Sequence, residues 1–271
     1  MNAYIIFTVI FGILAAALLV TIIARAAKHK RFLPVGLLCV LGIIITGCAA
    51  AFFGYVSVYR QALPNAEKAL ESGGSVTVTQ IPEGWEFDGA GTEDAVIFFQ
   101  GGKVDAPAYA PLLRELALRG TDCYLIDAPF NIPFLGVKDA DSIIERGGHE
   151  RYYIAGHSLG GATASAFCGS FGDKCGGLIM LAAYSASDID DDIPVLSVLG
   201  SNDGVLSAES YEKARGRIQG EFVEYVIEGG NHAQFGSYGE QEGDSPADIS
   251  PEEQLSITVD KICEFIEAHR N

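Results

Sequence analysis

The chain has 271 residues, with 18 Lys and Arg against 35 Asp and Glu and a formal net charge of −17. Residues 1–60 hold five basic residues and no acidic one, so the other 211 hold 13 basic and all 35 acidic residues, a net of −22. A region of that length can bury a core of its own, and its charge repels phosphate backbones, which argues against a nucleic-acid partner.

Residues 4–24 carry no charge over 21 positions, and residues 32–59 carry none over 28. A helix needs about 20 apolar residues to cross the hydrocarbon core of a bilayer, and at this length only helices satisfy their backbone groups in lipid. Two transmembrane helices are expected, at about 4–24 and 33–58, which makes residues 1–60 a membrane anchor with the bilayer as its partner. Arg25, Lys28, Lys30 and Arg31 lie between the spans. The positive-inside rule puts that loop in the cytoplasm and everything after the second span outside it. Tyr55 and Tyr59 suit the membrane interface.

A second reading starts from Ile45-Thr46-Gly47-Cys48, which resembles a bacterial lipobox preceded by a charged KHKR stretch. Cleavage before Cys48 would leave a lipid-anchored protein. Against it, an entire apolar span precedes the charged stretch, which signal peptides lack, and residues 49–59 stay apolar. Both readings place the acidic region outside the cytoplasm.

Residues 61–74 read as a polar connector, and a domain is expected over 75–271. VTVTQI alternates apolar and polar residues, as a half-buried edge strand does, and WEFDGAG is expected to pair with it. AVIFF, at 95–99, is continuously apolar, as in a strand covered on both faces. A helical pattern at 108–119 follows. Further strands are expected at 123–126, 151–155, 178–182, 195–199 and 222–227. Helices are expected at 137–146, 159–171, 208–217 and 251–269. Strands alternating with helices imply right-handed crossovers and a mostly parallel sheet with helices on both faces. The six cysteines form no CxxC pair and no metal-spaced cluster. Cys168 and Cys175 are close enough in sequence to pair in an oxidising compartment, and geometry rather than spacing decides that.

The strongest local signal is Gly156-His157-Ser158-Leu159-Gly160-Gly161, a G-x-S-x-G motif between an apolar strand and an Ala/Gly-rich helix. A sharp strand-to-helix turn lifts a serine hydroxyl clear of a sheet, and small neighbours let strand and helix approach. The helix N-terminus adds N–H donors and a positive dipole end. On this motif in this setting, the stretch 75–270 resembles the α/β-hydrolase superfamily. It is similar to compact bacterial members near dienelactone hydrolase, with Ser158 where that enzyme has Cys.

The resemblance implies the remaining parts. In the family a turn at the end of the AVIFF strand supplies one oxyanion-hole N–H; here that turn is Gln100-Gly101-Gly102-Lys103, with Gln100 where His is common. Gly102 is the expected donor, Lys103 the alternative, and Leu159 supplies the second N–H. Asp203 falls at the family's G-x-x-D position after the 195–199 strand. Asp188, Asp190, Asp191 and Asp192 precede that strand and read as a solvated loop. His232 follows the last strand, 29 residues after Asp203, completing the order Ser, Asp, His. His29, His149, His157 and His269 do not fit that position.

Only residues 183–194 separate the strand after the elbow helix from the next, too few for a cap, so an open site is expected. Its walls would come from 128–136, from Tyr184-Ser185 and from 235–250. The expected activity is hydrolysis of ester-like acyl compounds through an acyl-enzyme, with a small-molecule acyl substrate and neither metal nor organic cofactor. The alternatives are a non-catalytic binding protein of the same fold and an acyltransferase with the same nucleophile. A lost triad member would mark the first, and a site that excludes water the second.

Overall fold

The computed structural model describes residues 12, 13, 15–17, 19–25, 28, 32–91 and 93–270. It divides into two compact units, Met1–Tyr59 and Arg60–Asn271.

In the first unit, residues 4–11, 14 and 18 of the first expected span lie outside the described residues, and those described between 12 and 25 are helical. The second span is helix α1, Phe32–Ser57. Its 26 residues extend for about 39 Å at the α-helical rise, more than the hydrocarbon thickness of a bilayer. Val40–Ser57 is long and apolar enough to cross a membrane, alone in this among the described residues. Ile43, Ile44 and Ile45 are exposed on it, and Cys48 lies within it. One such helix, not two, is therefore described.

The second unit begins with residues that pack onto it. Arg60 N donates to Lys103 O at 2.8 Å, and Asp105 N donates back to Arg60 O at 2.8 Å. A short helix, α2 (Pro64–Lys68), leads into the hairpin β1 (Thr77–Ile81) and β2 (Gly84–Asp88). The order continues β3 (Asp94–Phe99), α3 (Ala110–Leu118), β4 (Asp122–Ile126), α4 (Val137–Arg146), β5 (Arg151–His157) and α5 (Leu159–Ser170). It closes with β6 (Gly177–Leu181), β7 (Val195–Gly200), α6 (Ala208–Arg215), β8 (Phe222–Ile227) and α7 (Pro251–Ala268). The eight strands form one sheet in the order β1-β2-β4-β3-β5-β6-β7-β8. β1 and β2 are antiparallel, β2 is antiparallel to β4, and the other pairs are parallel.

Alternation along the strands feeds two cores. Val96 and Phe98 of β3 face Leu112, Leu113 and Leu116 of α3 and Ile262, Phe265 and Ile266 of α7. Ala95, Ile97 and Phe99 face Ala140 and Ile143 of α4 and Ala164 and Phe167 of α5. Each large apolar side chain buried this way contributes roughly 1.5–3 kcal/mol. The helix expected from 108 begins with a 3-10 turn, Ala106–Tyr109, before α3; Pro107 and Pro111 each lack the N–H that a continuous helix would use. The strand expected at 151–155 runs on to His157. Cys168 is buried, Cys175 is half-buried, and both are free thiols.

The parallel strands point their C-terminal ends to one edge of the sheet. At the opposite edge Asp94, buried at the start of β3, accepts from Arg151 Nε and Arg270 Nε, each at 2.7 Å.

Candidate functional site

Ser158 stands alone between β5 and α5, with φ 54° and ψ −121°. A side chain in that region costs of order 1–3 kcal/mol of backbone strain. The glycines of the motif show why the chain accepts it. A Cβ on Gly160 would lie 2.2 Å from Phe99 O, and one on Gly156 would lie 2.3 Å from Gly160 C. Strand and helix therefore meet backbone to backbone, and Ser158 N donates to Leu181 O at 2.9 Å to hold the turn. Leu159 is the first helical residue, where an N–H has no acceptor within its own helix.

The turn after β3 adjoins that helix start: a Cβ on Gly102 would come within 2.8 Å of the Leu159 side chain. Lys103 N donates to Asn131 O at 2.8 Å and Gly101 N to the Tyr109 hydroxyl at 3.0 Å. Among the described residues the Gly102 N–H meets no acceptor. Of the two expected donors on this turn, Gly102 is thus the available one. Gln100 matters through its side chain, which the sequence pattern did not reveal. Fully buried, it donates from Nε2 to Val104 O at 3.0 Å and Asn131 Oδ1 at 2.9 Å, and accepts from Ala128 N at 2.9 Å. It fastens the turn after β3 to the loop after β4.

His232 follows β8, and its Nδ1 lies 2.8 Å from Asp203 Oδ2. Asp203 stands past β7, and its Oδ1 accepts from Val205 N and Leu206 N, both at 2.8 Å. Burial pushes the Asp203 carboxyl up. The hydrogen bond and charge of His232, with the Leu206 and Val205 N–H groups, outweigh that and hold it below its ordinary value. Asp188, Asp190, Asp191 and Asp192 are exposed before β7. His232 Nε2 is buried and without a hydrogen-bond partner among the described residues. The structure thus joins Asp203 to His232, and Ser158 follows His157, whose ring lies against that of His232; no hydrogen bond runs from Ser158 to Nε2. Bonds between a nucleophile and its base commonly close only in a substrate complex.

His157 stands next to Ser158 in the chain and against His232 in space. It is fully buried, its ring centroid 4.6 Å from that of His232, and its Nδ1 lies 2.8 Å from the Tyr109 hydroxyl. Burial, and then the adjacent His232, push the His157 imidazole well below its ordinary value, so it is neutral. Tyr109 thereby links the elbow to Gly101. A helix-start tyrosine carries no sequence signal for that role.

Five non-glycine residues among those described have positive φ: Lys103, Phe130, Asn131, Ser158 and Ala182. All five stand past the C-terminal ends of β3, β4, β5 or β6. The expected walls lie on the same edge. Pro133–Gly136 packs on α5 and exposes Phe134 and Leu135. Leu159, Tyr184 and Val205 are also exposed. Residues 182–194 form no helix and no cap. No group of three or more His, Cys, Asp or Glu is arranged for a metal ion among the described residues.

The family model "Alpha/beta hydrolase family" matches residues 95–256, a span that holds Gly102, Ser158, Leu159, Asp203 and His232. No curated protein matches the chain. Among solved structures it is similar to dienelactone hydrolase from Anabaena variabilis, with TM-score 0.56 and 14% identity over 72% of this chain and 99% of that one. Carboxyl esterase 2 from Tuber melanosporum gives 0.53 and 12% over 75% and 90%. A monoacylglycerol lipase from Paleococcus ferrophilus gives 0.52 and 16% over 72% and 99%. At these identities the likeness shows the fold, and with the family match over most of the chain it leads to one conclusion: the chain belongs to the alpha/beta hydrolase family.

Proposed function

We propose that the protein is a serine hydrolase of ester-like acyl compounds, anchored in a membrane by its N-terminal helices, with its catalytic domain outside the cytoplasm. The observation that carries the catalytic reading is the Asp203–His232 hydrogen bond of 2.8 Å, together with a strained Ser158 whose neighbour His157 packs against His232. His232 Nε2 takes the proton of Ser158 as Oγ bonds to the substrate carbonyl carbon. The carbonyl π pair moves to oxygen, and the oxyanion is held by the N–H groups of Gly102 and Leu159, a contribution of several kcal/mol in such sites. The tetrahedral species re-forms the carbonyl and expels the leaving group, which receives the proton from His232. Water then repeats the two steps on the acyl-enzyme. Asp203 orients the imidazole and stabilises its charged form without taking its proton.

The exposed apolar side chains of Phe134, Leu135 and Leu159 favour substrates with an apolar acyl portion. The uncapped edge lets water reach the acyl-enzyme, which favours hydrolysis over acyl transfer. The full chain is treated with a fluorophosphonate probe, and an ester series of increasing acyl length is assayed beside it. Wild type is expected to label and Ser158→Ala to remain unlabelled while folded. Equal labelling of the two would remove Ser158 as the nucleophile.

A further inference from the structure

The turns that carry Asp203 and His232 meet ahead of those residues through Asn202 N donating to Gly230 O and Gly229 N donating to Ser201 Oγ, each at 2.8 Å, and at and beyond them through two carboxylates, the first being Asp203 itself. The second is Asp244, in the loop before α7. Its Oδ1 accepts from Gly204 N at 3.0 Å and Ser245 N at 3.0 Å, and its Oδ2 accepts from Ala233 N at 2.8 Å. Gly204 and Ala233 are the residues directly after Asp203 and His232. One carboxylate therefore joins 203 to 232, and another joins 204 to 233.

The surroundings hold Asp244 in that place. A Cβ on Gly204 would lie 2.7 Å from Gly243 O and 2.9 Å from Ser245 N, so the Asp244 loop is seated against the acid turn. Asn231, just before His232, donates from Nδ2 to Ser245 O at 2.8 Å. Asn202, just before Asp203, donates from Nδ2 to Asp248 Oδ2 at 2.9 Å. The stretch 244–248 thus touches the residue on each side of both triad members. Within it, Asp244 alone among the described residues bonds both turns through one side chain. A carboxylate accepts at both oxygens and donates at neither, so this chemistry suits two converging N–H groups. Hydrogen bonds to a charged acceptor are also stronger than neutral ones.

We infer that Asp244 is a positioning residue for the reaction proposed above: it fixes the separation of the two turns on the side that follows Asp203 and His232, and so the angle at which His232 meets Asp203. The inference rests on the triad reading. It differs from a plain stabilising role because a shift of even about 1 Å at a catalytic group can cost as much as 100-fold in rate, while leaving the substrate surface on α5 and 128–136 in place.

The test compares wild type with Asp244→Asn, which keeps the shape but replaces one acceptor by a donor facing an N–H. Glu267→Gln makes the same charge change on α7, outside the expected walls of the site, at an exposed side chain without a hydrogen bond among the described residues. Both are measured in the full chain by ester kinetics, with Ser158→Ala and the fluorophosphonate probe alongside. Expected is a fall in kcat of roughly 10- to 100-fold for Asp244→Asn with KM nearly unchanged, and wild-type kinetics for Glu267→Gln. Asp244→Glu, which keeps both acceptor oxygens, should recover part of the loss. Should Asp244→Asn not fold, Asp244→Ser is judged by the same kcat criterion. Wild-type kcat in the folded Asp244 variant, a change in KM alone, or an equal loss in Glu267→Gln overturns the inference. Labelling of Ser158→Ala overturns the triad reading instead, so the two failures are told apart.

Discussion

His157 and His232 lie ring against ring, 4.6 Å between centroids, and only His232 has a carboxylate partner. His157 has a tyrosine hydroxyl instead, and burial keeps it uncharged. Two imidazoles in contact cannot both be charged cheaply. A neutral His157 therefore leaves His232 as the one that takes up a proton in the proposed mechanism.

That asymmetry predicts a pH dependence of stability. The folded-state value of His157 is depressed, while an unfolded chain holds a histidine near about 6.5. Below about 6.5 the unfolded chain binds a proton that the folded chain refuses. Stability should then fall with pH, by up to about 1.4 kcal/mol per unit from this group, until its depressed folded value is reached. Thermal midpoints of wild type and His157→Gln, followed from about pH 7.5 to about pH 5, should show a shallower decline in the variant. Parallel declines would mean that His157 does not report its burial this way.

Asp203→Asn removes the charge that orients the imidazole. Its kcat should drop by about 10³- to 10⁴-fold, with a small change in KM. Asp192→Asn, at an exposed position before β7, should keep wild-type kcat. Equal losses in steady-state ester hydrolysis would undo the assignment of the acid.

The elbow glycines make a prediction about folding alone. Gly160→Ala places a Cβ 2.2 Å from Phe99 O, and no side-chain adjustment relieves contact with a backbone oxygen. A loss of about 3 kcal/mol or more is expected, at the upper end of overpacking costs. Gly216→Ala, whose nearest contact would be 3.7 Å, should be near neutral. Urea denaturation of both variants decides it, and equal midpoints would show that strand and helix can part at the elbow.

The proposed topology is testable without an activity. In a background with the native cysteines replaced, Glu240→Cys on intact cells should react with a membrane-impermeant thiol reagent, and Lys28→Cys should not. The reverse pattern places the catalytic domain in the cytoplasm. With Cys48 intact, loss of the first 47 residues from the mature chain would favour lipid anchoring.

Much of this was legible because the signals were periodic or positional. Continuous apolar runs such as 95–99 mark strands covered on both faces, and β3 is buried along its whole length. Position at the ends of strands singled out Asp203 among many acids and His232 among five histidines. What the sequence could not show is the part carried by side chains that bond to distant backbone. Gln100 reaches Ala128 and Asn131, and Asp244 reaches Gly204 and Ala233. Neither spacing nor periodicity encodes such contacts, and Asp244 sits among Glu240, Glu242 and Asp248 with nothing in its neighbours to distinguish it. The 3-10 start before α3 was missed because the apolar pattern continues through it.

The positive-φ residues and the Asp94 pairs sit on opposite edges of one sheet, and that makes the two edges unequal for engineering. Replacing Lys103, Phe130, Asn131 or Ser158 by glycine would relieve backbone strain, so a screen for heat resistance will find gains on the edge that bears the hydroxyl and the oxyanion turn. Those gains would loosen the arrangement on which the proposed turnover depends, the familiar conflict between stability and activity. At the other edge Asp94 ties β3, β5 and the C-terminal arginine together, far from any chemistry. Reinforcement there, for instance with further partners for Arg151 and Arg270, is the route by which this domain can be hardened without dulling it.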